Sequence, residues 1–301
     1  MSKLAAIVLA AGKGKRIGAK KINKVVLPLV DRPMIVYTVD LLDSLRIAPI
    51  VAVVGFAKKS VMEVLKGRVI FAHQRKRLGT AHAVLCALRY LSLARGSDVN
   101  NGSAEVTYEN FLVRNAKIGS SSNLFKNPAS AHNENFVGSP RLINRVKDVL
   151  VLNGDDSAFY RKETIENLIK VHQRIRSSVT FLTVEVDNPS GLGRIARDDK
   201  GRLVGIVEDK DTKNTKEELG KIREVNPACY VFSVDFLRKF LKKIKKSKIT
   251  GEYYLTSLID IAIKNNEKIE AVNAGKLYWR GVNTLNELKE AERKFLFRHF
   301  G

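Results

Sequence analysis

The sequence predicts an α/β fold with a mixed, mostly parallel central sheet and a small antiparallel part. Two observations carry this. Short unbroken apolar runs alternate with amphipathic stretches as far as residue 184. Such runs suit strands buried on both faces, as in a parallel sheet covered by helices. Beyond residue 184, apolar segments separated by polar turns point to antiparallel pairing.

The elements follow in order. Residues 4–11 form an apolar run ending in glycines, read as the first buried strand. Residues 33–45 have helical spacing, with Ile35, Val39 and Leu42 on one stripe. Residues 50–54 are a second strand, 61–65 a short helix and 69–72 a third strand. Residues 80–93 are helical, with Ala83, Ala87 and Leu91 on one face. Residues 149–152 are a strand, 163–176 a helix and 179–184 a strand. Then come antiparallel strands at 193–197, 203–207 and 228–232. Residues 236–249 read as a basic amphipathic helix with a core stripe of Phe236, Phe240 and Ile244. Helices at 255–263 and 285–297 close the chain.

One segment breaks the pattern. Of residues 96–140, 21 of 45 are Asn, Ser, Gly or Pro, and their net charge is 3 − 4 = −1. Connections in compact domains usually have about 4–6 residues, so 96–148 reads as an insertion, with residues 106–113 a candidate strand inside it. It follows a helix and precedes a strand, which places it at the amino ends of the sheet. Ligands in such sheets bind at the carboxyl ends.

The 301 residues, 45% hydrophobic and 28% charged, exclude a wholly disordered chain and suffice for one large core or two smaller ones. Two cysteines, Cys86 and Cys229, exclude a disulfide framework and fit a reducing compartment. No apolar run approaches the roughly 20 residues of a membrane span. The run at 4–11 leads into Gly12-Lys13-Gly14-Lys15 rather than a cleavage site. A cytoplasmic location is expected. Lys and Arg total 53 against 31 Asp and Glu, so the net charge is +22. Such a surface attracts anions of any kind. No aromatic-interleaved basic patch marks a specific nucleic-acid site.

The chemistry begins at Leu9-Ala-Ala-Gly-Lys-Gly-Lys-Arg16, with Lys24 further on. Small residues let the backbone approach a ligand, and successive N–H groups in such a turn cradle anions. Neither a Walker motif nor G-x-G-x-x-G is present, so the loop alone reads as a phosphate site or as a basic turn. Asp155 ends a strand, where a carboxylate is placed for a metal or for a turn.

With Lys24 in Lys-Val-Val-Leu-Pro28, this loop resembles the signature of sugar-1-phosphate nucleotidyltransferases. The motif set is most similar to the pyrophosphorylase domain of the N-acetylglucosamine-1-phosphate uridylyltransferases. The other motifs fall in order: Gln74 with Leu78-Gly79-Thr80-Ala-His82, Leu152-Asn-Gly-Asp155, Gly191-Leu-Gly193-Arg194-Ile, Gly205-Ile-Val-Glu208, Glu224-Val-Asn226, Gly251-Glu-Tyr-Tyr254-Leu-Thr256 and Gly281-Val-Asn283. The likeness covers nearly all of the chain outside 96–148.

The resemblance implies a Rossmann-like, GT-A-like nucleotidyltransferase fold in a single domain over 1–301. Its nucleotide part would cover about 1–95 and 149–184, and its sugar part about 185–284. Arg16 and Lys24 would be catalytic, contacting the triphosphate and the sugar phosphate. Leu9, Ala10, Ala11, Gly12, Gly14, Gln74, Gly79 and Thr80 would hold the nucleotide, the Gln74 amide offering uracil both a donor and an acceptor. Thr80 is also placed to cap its helix, and His82 reads as a packing or surface residue. Gly193, Glu208 and Asn226 would hold the sugar, though Glu208 also reads as a plain strand residue. Asp155 and Asn283 would hold Mg2+, the implied cofactor.

The sequence departs from the family at Lys15 (usually Thr), Asn23 (Pro), Asn153 (aromatic), Pro227-Ala228 (Thr-Gly) and Ser257 (acidic). Asn153 and Pro227 bear on the sugar. No hexapeptide repeat precedes Gly301, so neither acetyltransferase activity nor the trimerising helix is expected. The implied reaction joins UTP and N-acetylglucosamine-1-phosphate, giving a nucleotide sugar and pyrophosphate. The alternatives are another nucleotide or phosphate acceptor, and a non-catalytic sugar-nucleotide-binding homologue.

Overall fold

The computed structural model describes residues 4–14, 16–18, 21–92, 146–155, 159–209, 221–277 and 281–300, with no side-chain detail for the last three. The candidate strand at 106–113 and most of the insertion lie outside these residues.

Twelve strands are described. They are β1 Leu4–Ala10, β2 Pro28–Leu29, β3 Arg32–Pro33, β4 Ile50–Val54, β5 Ile70–His73 and β6 Asp148–Asn153. After these come β7 Val179–Glu185, β8 Gly193–Arg197, β9 Leu203–Val207, β10 Glu224–Asn226, β11 Tyr230–Ser233 and β12 Ile269–Asn273. The helices are α1 Met34–Ser44, α2 Lys58–Val64, α3 Thr80–Leu88, α4 Lys162–Ile175, α5 Val234–Phe240, α6 Ser257–Lys264 and α7 Leu285–Phe300.

Ten strands form one sheet in the order β5-β4-β1-β6-β11-β7-β10-β8-β9, with β12 on β7. Strands β5, β4, β1 and β6 are parallel neighbours, as are β7 and β12. Only β9, β10 and β11 run against the rest. Strand β7 is the pivot. Its first residues pair β11 and its last, Val184 and Glu185, pair β10, which carries the β8–β9 hairpin. The small antiparallel part is therefore an extension of the main sheet.

The apolar runs are continuous because both sheet faces are covered. Ala6, Val8 and Ala10 of β1 face a core with Ile35, Val39 and Leu42 of α1, Ile165 and Leu168 of α4 and Phe295 of α7. Ala5 and Ile7 face the opposite core, with Ala83 and Val84 of α3, Phe236 and Phe240 of α5 and Ile259 of α6. Alternation along a strand sends successive residues to opposite layers, so a two-sided core has no polar face to show.

Three expectations change. The basic helix at 236–249 is shorter: α5 ends at Phe240, and a 3-10 turn, Leu241–Lys243, finishes it. Its apolar stripe runs out at Ile244. Beyond that, the Ser247 hydroxyl accepts from the Ile249 and Thr250 amides and closes a tight turn among the lysines. The α3 helix also ends in a 3-10 turn, Arg89–Ser92. Thr80 does not cap α3. The N-cap is Gly79, with no side-chain bond, and Thr80 Oγ1 accepts instead from the Leu255 amide at 2.9 Å.

Glu224 ties the antiparallel part to the main sheet. Its carboxylate accepts two bonds from Arg197, each 2.8 Å, and one from Thr183 Oγ1 at 2.6 Å. Burial pushes this carboxyl up, but those bonds and the Arg197 charge outweigh it and hold it below its ordinary value of 4.5. A depressed carboxyl stabilises the fold fully above its unfolded value, and the contribution fades as pH falls through the folded value. Glu224→Gln should cost about 1.5–3 kcal/mol at pH 7. The gap to the parent should narrow as pH falls below that ordinary value, as urea denaturation across pH will read. A gap independent of pH contradicts this.

Candidate active site

The carboxyl ends of β1 and β6 lie side by side, with Leu9 in register with Asn153. The chain leaving β1 there is gathered by Asn23. Its Nδ2 donates to the carbonyls of Ala10 (2.9 Å), Phe56 (2.8 Å) and Gly12 (3.3 Å), and its Oδ1 accepts from the Val25 amide. Asn23 is thus a shaping residue that sequence reasoning met only as a departure. A Cβ on Gly12 would meet nothing within 4 Å, so its small size leaves room for a ligand. Gly14 is bare for the protein's sake: at φ +58 its Cβ would sit 3.0 Å from Lys24 Cβ.

Lys24 opens a 3-10 turn, Lys24–Val26. Its ammonium is ion-paired with Asp155 Oδ2 and donates to Asn283 Oδ1 at 3.1 Å, across 259 residues of sequence. Two oxygens, one from the middle of the chain and one from near its end, thus converge on one cation. Asn283 is held by a capping box at Thr284-x-x-Glu287. Glu287 Oε2 accepts from the amides of Asn283 (2.7 Å) and Thr284 (2.9 Å), while Thr284 Oγ1 accepts from the Glu287 amide. The Thr-x-x-Glu spacing was the signal for this residue, ahead of a helix sequence reasoning had found.

A carboxylate and an amide oxygen are the hard donors Mg2+ takes. No group of three or more His, Cys, Asp or Glu that could hold a metal occurs among the described residues. Mg2+ commonly rests on one or two protein oxygens and completes its shell from phosphates and water, so the pair fits it.

On the other side of the loop lies Gln74, buried at the end of β5. Its Nε2 donates to the Gly79 carbonyl at 2.9 Å and lies 3.0 Å from His82 Nδ1. The amide does not offer a base both partners, as the sequence suggested. Its donors are committed to the protein, and Oε1 has no hydrogen-bond partner among the described residues. His82 is half-buried in α3 and bonded to the amide.

Gly193, Glu208 and Asn226 come from the antiparallel part. Glu208 Oε1 accepts from Thr256 Oγ1 at 2.7 Å. Asn226 is buried, its Nδ2 donating to Tyr230 Oη at 2.6 Å and its Oδ1 accepting from the Ala228 amide at 3.0 Å. That turn puts Ala228 at φ +58, left-handed backbone that costs a residue with a Cβ about 1–2 kcal/mol. Ala228→Gly should therefore raise stability by about 0.5–1 kcal/mol in urea denaturation. No change, or a loss, contradicts this reading of the turn.

One cleft of about 930 Å³ joins all of these. It is lined by Leu9, Ala10, Ala11, Gly12, Gly14, Arg16, Lys24, Gln74, Gly79, Thr80, Asp155, Gly193, Glu208, Asn226 and Asn283, so the residues to which the resemblance gives a catalytic, nucleotide, sugar or metal role all meet there. Arg16 is exposed at its edge. Arg77, Tyr254 and Thr256 also line it, and the departures Asn153, Pro227 and Ala228 are in its wall. The volume is at the upper end of small-molecule sites.

The chain matches a MobA-like NTP transferase domain over residues 6–196 and a nucleotidyl transferase domain over 121–297. It is 32% identical over 293 residues to the bifunctional protein GlmU of Thermoanaerobacter pseudethanolicus and 33% identical over 288 residues to that of Exiguobacterium sibiricum. These alignments take in 97% and 95% of this chain but 52% of each relative. The chain thus spans about half the length of the curated relatives it matches. In three dimensions it is similar to a Bacillus anthracis protein assigned as a glucose-1-phosphate thymidylyltransferase, solved in complex with a sucrose. The TM-score is 0.68 at 18% identity, covering 99% of this chain and 97% of that one. That likeness speaks to the fold, which is the Rossmann-like one expected. Each of the two domain matches spans more than half of the chain, and together they run from the glycine loop into the last helix, so the chain belongs to the nucleotidyltransferase family.

Proposed function

We propose that the chain transfers a uridylyl group from UTP to N-acetylglucosamine-1-phosphate, releasing pyrophosphate. The observation that carries this is the convergence of Asp155 and Asn283 on Lys24, at the floor of the cleft between the glycine loop and the antiparallel part. On this reading the loop at 9–16 wraps the triphosphate, and Gln74, Gly79 and Thr80 face the base. Gly193, Glu208 and Asn226 face the sugar. Residues 1–95 with 149–184 then form the nucleotide part, 185–284 the sugar part and 96–148 an insertion. The relatives' bifunctional name belongs to chains about twice as long, and only the half shared with this chain bears on its reaction.

The chemistry asks little covalent work of the protein. The acceptor phosphate is already ionised near pH 7, so its oxygen attacks the α-phosphorus without a general base. Lys24 stabilises the charge that develops there, and Arg16 grips phosphate oxygens as a fork. Asp155 and Asn283 would hold Mg2+, which when bound neutralises phosphate charge and polarises the phosphoryl group. Both cysteines are free and no helix among the described residues is long and apolar enough to cross a membrane; we place the chain in the cytoplasm.

The test is pyrophosphate release from UTP and Mg2+ with N-acetylglucosamine-1-phosphate beside glucose-1-phosphate, with Asp155→Ala as control. Release that the control abolishes supports the transferase. Preference for glucose-1-phosphate would move the acceptor away from the acetamido sugar, through Asn153 and Pro227. No release from a folded sample with any nucleotide overturns the proposal.

A further inference from the structure

We propose that His82 is a positioning residue that sets base selectivity by fixing which way the Gln74 amide faces. This rests on reading the cleft as a nucleoside triphosphate site. The Gly79 carbonyl can only accept, so the amide group 2.9 Å away must present its nitrogen there. The same nitrogen lies 3.0 Å from His82 Nδ1. Both N–H bonds of Gln74 are then directed into the protein, and Nδ1 must act as the acceptor. That requires the imidazole tautomer with its proton on Nε2.

The consequence appears at the cleft. Gln74 is 4% exposed and lines it. With both donors committed, the amide can show a base only an acceptor, Oε1. An acceptor suits uracil or thymine, whose N3 carries a proton. It meets a lone pair on N3 of cytosine or N1 of adenine and leaves two acceptors facing each other. Sites built this way discriminate by leaving polar groups unpaired with the wrong ligand. Gly79 alone would hold one N–H and let the amide plane turn about that bond. His82 supplies the second point and removes the rotation.

His82 touches neither a base nor a phosphate on this account, so its loss should be read in binding and selectivity rather than in turnover. Asn places an oxygen where His carries Nδ1, whereas Leu has a similar branched shape and no acceptor. With Mg2+ and the acceptor phosphate saturating, His82→Leu should raise KM for UTP about ten-fold with kcat within about two-fold, consistent with the loss of one uniform binding interaction. The UTP-to-CTP ratio of kcat/KM should fall by a similar factor. His82→Asn should restore both to within about two-fold of the parent. His82→Ala, a helix-favouring change at a half-buried position, provides the same readout should the leucine variant unfold. Binding of UTP and CTP, measured by calorimetry on the same proteins, separates two failures. If the parent chain binds the two nucleotides alike, the reading of the cleft fails. If the parent prefers UTP and His82→Leu or His82→Ala keeps that preference, or His82→Asn does no better than leucine, the inference about His82 is overturned.

Discussion

Lys24→Ala should lower kcat/KM for nucleotidyl transfer roughly a thousand-fold, the upper end of what one preorganised charge contributes at a developing anion. The ammonium sits on Asp155 and Asn283, and only 15% of its side chain is exposed. Removing it takes away the charge that meets the α-phosphoryl group. It also leaves a carboxylate of equal burial without its partner, at a cost of about 1–3 kcal/mol. The two effects can be separated. A divalent cation offered to the parent must share the two oxygens with Lys24, whereas in Lys24→Ala it meets them free. Mg2+ without nucleotide should therefore raise Tm more for the variant than for the parent, while activity stays low. Lys24→Arg should not restore turnover, because a planar fork does not replace a compact point charge. A variant within ten-fold of the parent, or equal Mg2+ shifts, contradicts the role given to Lys24.

What could be read in the sequence depended on how local its cause was. Strands β1, β4 and β6 announced themselves because both of their faces are apolar, and their limits held to within a residue or two. The glycine loop and Lys24 were legible because few residue types suit an anion cradle. Strand β12 was not. Ile269-Glu-Ala-Val-Asn273 is short and half-buried, and only its parallel pairing with β7 makes it a strand. Asn23 was missed for a related reason. It works through carbonyls that the fold brings to it, those of Ala10 and Phe56, whereas Glu287 had a local signal, the Thr-x-x-Glu spacing, that went unread. The Thr80 cap failed through competition: the hydroxyl suited to a helix end was taken by an amide 175 residues away. The Gln74 amide went the same way, its donors claimed by Gly79 and His82.

Gly79→Ala should be the most damaging single methyl group in the cleft. Gly79 has φ +106, a conformation that costs a residue with a Cβ about 1–3 kcal/mol. The new carbon would also lie 2.4 Å from the Tyr253 carbonyl oxygen and 2.7 Å from its nitrogen. These are backbone atoms, so no side chain can rotate away. Relief requires the Tyr253 segment to part from the start of α3, and three bonds cross that seam. Tyr253 N donates to Leu78 O at 2.7 Å, Ala81 N to Tyr253 O at 3.0 Å and Leu255 N to Thr80 Oγ1 at 2.9 Å. Strain and lost bonds together predict a destabilisation of about 4 kcal/mol, in the range reserved for a named structural cause. The site should suffer beyond this. Gly79 O anchors the Gln74 amide and Thr256 holds Glu208 from the far end of the same segment, so the seam serves both halves of the cleft. At a temperature where Gly79→Ala is still folded, KM should rise for both the nucleotide and the sugar phosphate, whereas His82→Leu should move the nucleotide alone. A variant within about 1 kcal/mol of the parent in urea, with both KM values unchanged, would show that the segment yields freely and that its contacts with α3 do not hold the cleft in shape.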